Sequence, residues 1–150
     1  MKRIVGICLV VLFVVLALPC NVQAEEVQLF SNDTVYFSDG SYIVTEIQNS
    51  QARDASQSKT HTYYNGDDDI VWRIILTGTF RYNGSVATCT GATCDVEIND
   101  SRWYVVSKTA YCELATATCE VTMGRKALGV TVETPSFELS ITCIRYGVYV

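Results

Sequence analysis

Asp69 to Tyr82 reads D-I-V-W-R-I-I-L-T-G-T-F-R-Y, which sets Ile70, Trp72, Ile74, Leu76, Phe80 and Tyr82 on one face of an extended chain and Arg73, Thr77, Thr79 and Arg81 on the other. An apolar period of two is the pattern of a half-buried strand; wound as a helix, the same residues would scatter around the axis. The period recurs along the chain. Ala115, Ala117, Cys119, Val121 and Met123 alternate with Thr116, Thr118, Glu120 and Thr122, and Phe137, Leu139, Ile141 and Cys143 alternate with Glu138, Ser140 and Thr142. Shorter runs set Cys94, Val96 and Ile98 against Asp95, Glu97 and Asn99, and Leu128, Val130 and Val132 against Ala127, Gly129 and Thr131. After residue 25 no window carries a period of 3.6.

Turn chemistry separates these runs. Asn65-Gly66, Asn83-Gly84, Gly91-Ala92, Gly124 before Arg125-Lys126, and Thr134-Pro135-Ser136 supply the residues that tight turns need. The expected strands are 26–30, 34–37, 41–48, 59–64, 69–82, 85–90, 94–99, 102–112, 115–123, 127–133 and 136–145, some merging to leave eight to ten. Each such sheet has one apolar face to cover. The fold expected is therefore all-β, an immunoglobulin-like antiparallel β-sandwich or a small barrel. The polar stretch 50–60, S-Q-A-R-D-A-S-Q-S-K-T, has no apolar period and is expected to be a mobile loop.

The first 24 residues are expected to be a leader and not part of the fold. Lys2 and Arg3 precede an apolar run from Ile4 to Leu18, and Val22-Gln23-Ala24 ends in the small-residue pattern of signal-peptidase cleavage. The run is shorter than the roughly 20 residues of a spanning helix. This predicts a cleaved signal peptide at 1–24, a single secreted domain at 25–150, and contact with a membrane only through the leader. The minor alternative is a lipid anchor at Cys20. Losing Lys2 and Arg3 takes the formal charge from −5 to −7. A chain so acidic repels phosphate backbones, so no nucleic-acid partner is expected.

With Cys8 and Cys20 in the leader, Cys89, Cys94, Cys112, Cys119 and Cys143 remain, and in a small secreted domain cysteines are read first as disulfides. An odd number leaves one sulfur over. A hairpin at Gly91-Ala92 would set Cys89 opposite Cys94, and one at 115–116 would set Cys112 opposite Cys119. Cys143, on the core face of the last strand, is an alternative partner for Cys89. The order of preference is 112–119, then 89–143 and 89–94 equally. The Cys89-x4-Cys94 spacing lacks a tight zinc knuckle and His61 is the only histidine, so no metal and no cofactor is expected.

Tyr82-Asn83-Gly84-Ser85-Val86-Ala87-Thr88-Cys89, Ser101-Arg102-Trp103-Tyr104-Val105-Val106-Ser107-Lys108, and the run from Val121 to Val132 resemble small secreted β-rich proteins of Gram-positive-type bacteria that have no assigned function. The resemblance spans about residues 27 to 144. It implies secretion and architecture, and no catalytic residue.

Chemistry-bearing candidates each have a plainer reading. Asp67, Asp68 and Asp69 after Asn65-Gly66 gather carboxylates of the kind calcium takes, but without the alternating spacing of an EF-hand loop, and they read as a solvated hairpin tip. Asp54, Ser58 and His61 contain the residue types of a hydrolytic triad without a nucleophile elbow. Asp95, Glu97, Glu113 and Glu120 would have to pair for glycoside cleavage, yet stand on polar strand faces. The aromatic pairs are more informative. In Tyr36-Phe37, Tyr63-Tyr64 and Trp103-Tyr104 strand alternation sends one ring of each pair out of the core. Exposed rings on a rigid scaffold suit ligand contact. Trp103, Tyr104, Tyr63 and Tyr64 are therefore the candidate binding residues. The expected function is a non-catalytic extracellular domain binding a surface glycan or protein. The alternative is a disulfide-stabilised structural or effector-like protein, and the third is a glycoside hydrolase-type enzyme.

Overall fold

A computed structural model of the chain describes residues 30–48 and 54–144. The expected leader, the expected first strand up to residue 29 and the C-terminal end from 145 lie outside the described residues. Nine strands follow in order: β1 (Phe30–Tyr36), β2 (Tyr42–Gln48), β3 (Asp54–Tyr64), β4 (Ile70–Tyr82), β5 (Ala87–Ile98), β6 (Trp103–Glu113), β7 (Thr116–Ala127), β8 (Val130–Glu133) and β9 (Ser136–Thr142). β1 to β5 form one antiparallel sheet in chain order. In the second, β7 lies between β6 on one side and both β8 and β9 on the other. The sheets stay open and pack face to face as a sandwich, not as a barrel, and the described residues contain no helix.

The period-two faces are the inner faces. Trp72, Ile74, Leu76 and Phe80 of β4 face Ala117, Cys119, Val121 and Met123 of β7 and Leu139 and Ile141 of β9, and together they form the core. β4 lies across β7, β5 runs beside β6, and β3 reaches over β9. There Lys59 Nζ donates to the Ser140 carbonyl at 3.2 Å.

Three expectations are corrected. First, of the loop expected over 50–60, residues 50–53 lie outside the described residues and 54–60 are strand. All of β3 pairs with β4, and from Ser58 onward it pairs with β2 as well, so ladder hydrogen bonds hold the segment extended without an apolar period. Its inner face is polar at Gln57 and Lys59 because the overlying sheet there is only the edge strand β9. Second, Leu128, Val130 and Val132 are not core residues. They are 104%, 65% and 52% exposed on the β7–β8 hairpin. Third, neither Gly124, which lies within β7, nor Gly91-Ala92 is a turn. Residues 87–98 are one strand, and the hairpin before it turns at Asn83, whose Oδ1 accepts the amides of Ser85 and Val86.

That third correction changes the disulfides. The bridges are Cys89–Cys112 and Cys94–Cys119, with Cα separations of 5.6 and 5.9 Å, and Cys143 is a buried free thiol. The expected pairings 112–119, 89–143 and 89–94 do not form. Cys89 and Cys94 lie along the same strand, and in the β6–β7 hairpin Cys112 pairs with Ala117 while Cys119 pairs with Ala110. Five residues apart, Cys89 and Cys94 should point to opposite faces. Thr79 pairs with Gly91 but Phe80 with Cys89, so Thr90 is an extra residue that bulges out, and both sulfurs turn inward. Val106 does the same on β6, where Val105 pairs with Met123 and Ser107 with Thr122, turning Cys112 toward β5. Both bridges therefore tie the two sheets together along the β5 side.

His61 sits on the inner face of β3, opposite Ile74, with Nδ1 buried and without a hydrogen-bond partner among the described residues. Burial, and secondarily the charge of Lys59, push its pKa down from 6.5 to about 4. The folded protein thus keeps His61 neutral where the unfolded chain already binds a proton. Stability is full above pH 6.5, is lost as pH falls toward 4, and loses nothing further from this group below that. Discounted for partial solvent access, the loss is about 2 kcal/mol. Thermal melting at pH 7.5 and 4 should show it, and His61→Gln should shrink the drop. An unchanged drop in that variant assigns the pH dependence to other groups.

Candidate binding site

At one end of the sandwich the β1–β2 turn faces the β8–β9 connection across a hollow of about 330 Å³. Asp39 organises the first wall. Its Oδ1 accepts the Ser41 amide at 3.0 Å and the Ser41 hydroxyl at 2.6 Å, while the Phe37 amide donates to the Ser41 carbonyl at 2.8 Å. The side-chain and backbone hydrogen bonds from Ser41 hold the Asp39 carboxyl below the usual carboxylate range. In the opposite wall the Met123 amide donates to the Pro135 carbonyl at 2.9 Å, and Arg125 Nη1 donates to Glu133 Oε1 at 2.8 Å.

Aromatic rings line the space between. Tyr63 stacks on Trp72 with centroids 5.1 Å apart, Phe137 lies 4.8 Å from Trp72, and Trp103 meets Tyr63 edge-on at 5.8 Å. Phe37 reaches Tyr63 from the turn at 6.3 Å. All five rings line the hollow, together with the carboxylates of Asp39 and Glu133, and its lining contains no Lys, Arg or His. Trp72 is 1% exposed, and its indole N–H has no acceptor among the described residues. Beside it a smaller recess of about 120 Å³ includes Arg102 and Asp100. There Arg102 Nη2 donates to Asp100 Oδ2 at 2.6 Å, holding the Asp100 carboxyl low.

The four residues expected to bind divide two and two. Tyr63 and Trp103 line the hollow, Trp103 only 7% exposed. Tyr64 points to the outer face of the first sheet, where it stacks on Tyr42 at 4.8 Å; Tyr42 in turn meets Tyr36 at 5.4 Å and donates to Asp68 Oδ1 at 2.9 Å. This stripe follows cross-strand register, Tyr36 opposite Tyr42 and Tyr42 opposite Tyr64. Its outermost ring, Tyr36, is 74% exposed. Tyr104 lies on the outside of the second sheet, over Gly124, where a Cβ would meet the ring at 2.4 Å. Its hydroxyl bonds Thr131 Oγ1 at 2.7 Å and the Lys126 ammonium stands 4.8 Å from its ring. Tyr104 therefore covers a bare stretch of sheet and does not join either aromatic group.

Phe37, Trp72, Phe137, Asp39 and Glu133 join the site without having been singled out for it. Two signals were present: the Tyr36-Phe37 pair, and the Asp39-Gly40-Ser41 turn beside it. The remaining candidates disperse. Ser58 and His61 occupy opposite faces of β3, because they are three residues apart on an unbroken part of the strand. Glu97 pairs with Arg73 at 3.2 Å on β5, whereas Glu120 accepts the Tyr111 hydroxyl at 2.9 Å on β7 in the other sheet. At the hairpin tip Asn65 Oδ1 accepts the amides of Asp67 and Asp69, and no group of three metal-type ligands converges among the described residues. Comparison with family models, curated proteins and solved structures finds no match for this chain.

Proposed function

We propose that this chain is a secreted, non-catalytic β-sandwich binding domain that engages a surface glycan or an extracellular protein by seating one ligand group in the aromatic hollow. The observation that carries the reading is the hollow itself: five rings around about 330 Å³, with two carboxylates and no basic side chain in the lining. A concave, mainly apolar recess with few polar groups is the usual form of a binding site. Its walls are held by backbone bonds at Ser41 and Pro135, so little ordering is needed on binding.

A glycan array and a cell-surface pull-down with the oxidised domain test the reading. Trp103→Ala should weaken capture at least tenfold, because it removes a wall of the hollow. Tyr104→Phe, on the outside of the second sheet, should leave capture unchanged. Full binding by a folded Trp103→Ala variant would overturn the site. The second reading, a protein built to persist outside the cell, is favoured by the two bridges between the sheets. It predicts protease resistance that disappears on reduction, with no capture in either assay.

A further inference from the structure

We infer that the ligand group seated in the hollow is a trimethylammonium cation. The inference deepens the binding-domain reading and rests on it. Three features of the hollow converge on this chemistry.

The first is the walls. Phe37, Tyr63 and Phe137 border one space with the nearly buried Trp72 and Trp103 packed behind them, and aromatic ring faces attract an organic cation once it is desolvated. The site already sits next to such a contact, since the Arg125 guanidinium lies 6.0 Å from the centre of Trp103.

The second is charge. The charged groups in the lining are Asp39 and Glu133, both acidic. The nearest cations are already engaged: Arg125 by Glu133 at 2.8 Å, and Arg102 by Asp100 at 2.6 Å. Among the described residues Asp39 forms no salt bridge; its Oδ1 accepts the Ser41 amide and hydroxyl, and Arg125 acts on it only at longer range. An anionic ligand group would meet Asp39 at the rim, and a cation is drawn in.

The third is hydrogen bonding. A primary ammonium brings three donors and needs three acceptors at its seat, whereas Asp39 Oδ1 and Glu133 Oε1 are already accepting from Ser41 and Arg125 and the ring walls offer none. A trimethylammonium group brings none. It fills apolar space while carrying its charge, which matches a hollow walled by rings and rimmed by carboxylates. A volume of about 330 Å³ admits the headgroup and the start of the chain that carries it.

The test uses choline and its neutral carbon isostere, 3,3-dimethyl-1-butanol, titrated into the oxidised domain and followed by tryptophan fluorescence and calorimetry. Choline should bind at least tenfold more tightly than the isostere. Asp39→Asn keeps the acceptor for Ser41 but removes the charge, and it should weaken choline about tenfold while leaving the isostere unchanged. Glu133→Gln serves as the second variant if Asp39→Asn melts early. Equal binding of the two probes, or no effect of either charge variant, overturns the cation inference while Trp103-dependent binding of both upholds the hollow as a site. No choline binding at millimolar concentration also overturns it, and the glycan and cell-surface capture by Trp103→Ala then decides the hollow separately.

Discussion

Replacing Cys94 and Cys119 together by alanine lowers the stability of the oxidised domain by about 3 kcal/mol and its melting temperature by about 10 °C. The two residues are 25 apart in sequence, so the bridge removes a loop of that length from the freedom of the unfolded chain. It also joins the first sheet to the second at their centre: Cys94 lies opposite Leu76 of β4, and Cys119 is fully buried between Ala117 and Val121. The alanines leave a small void there, which adds to the loss. The Cys89–Cys112 bridge closes a comparable separation of 23, but Cys112 is exposed at the margin of its sheet, so its removal leaves less of a void. Denaturant titration of the two double variants measures both. A loss below about 1 kcal/mol for Cys94/Cys119 would contradict a stabilising bridge at this place. Peptide mapping without reduction should recover the links 89–112 and 94–119, and Cys143 should resist alkylation until the domain unfolds, since it is 3% exposed.

Gly78→Val is expected to cost about 3 kcal/mol, and Gly78→Ala about 2. Gly78 lies in the middle of β4 on the inner face, between Leu76 and Phe80. A Cβ there would stand 2.7 Å from the Ala117 Cβ and 2.7 Å from the Phe80 ring. The missing side chain is what lets β4 and β7 approach at this point and leaves room for the Phe80 ring. Both neighbours are packed on their far sides, so neither can move away freely. Gly78→Ala combined with Ala117→Gly should recover part of the loss, because it removes one of the two collisions. A double variant no better than the sum of its parts would assign the cost to the strand backbone instead.

The fold was legible where local chemistry and tertiary environment agree. The alternation in 69–82, 115–123 and 137–143 marks inner faces because each of those strands has one side against the opposite sheet. The same alternation misled at Leu128, Val130 and Val132, which stand exposed where β8 packs mainly against its neighbour β7. It was silent at 54–60, where pairing with β4, and from Ser58 onward with β2 too, supplies what apolar residues did not. The binding site shows the same division. That one ring of each aromatic pair turns inward follows from strand geometry, and Tyr63 and Trp103 duly turn inward while Tyr64 and Tyr104 turn out. That Phe37, Trp72 and Phe137 join the first two around one space depends on contacts between segments up to a hundred residues apart.

The chain's period of two by itself determined an all-β fold and which residues of the long strands are apolar together. Only the tertiary structure decided which cysteines meet and which rings share the hollow. The physical reason is the same in both cases. One extra residue in a strand, as at Thr90 or Val106, reverses every side chain beyond it, and whether that bulge forms is set by the register of the neighbouring strand and not by the strand's own sequence.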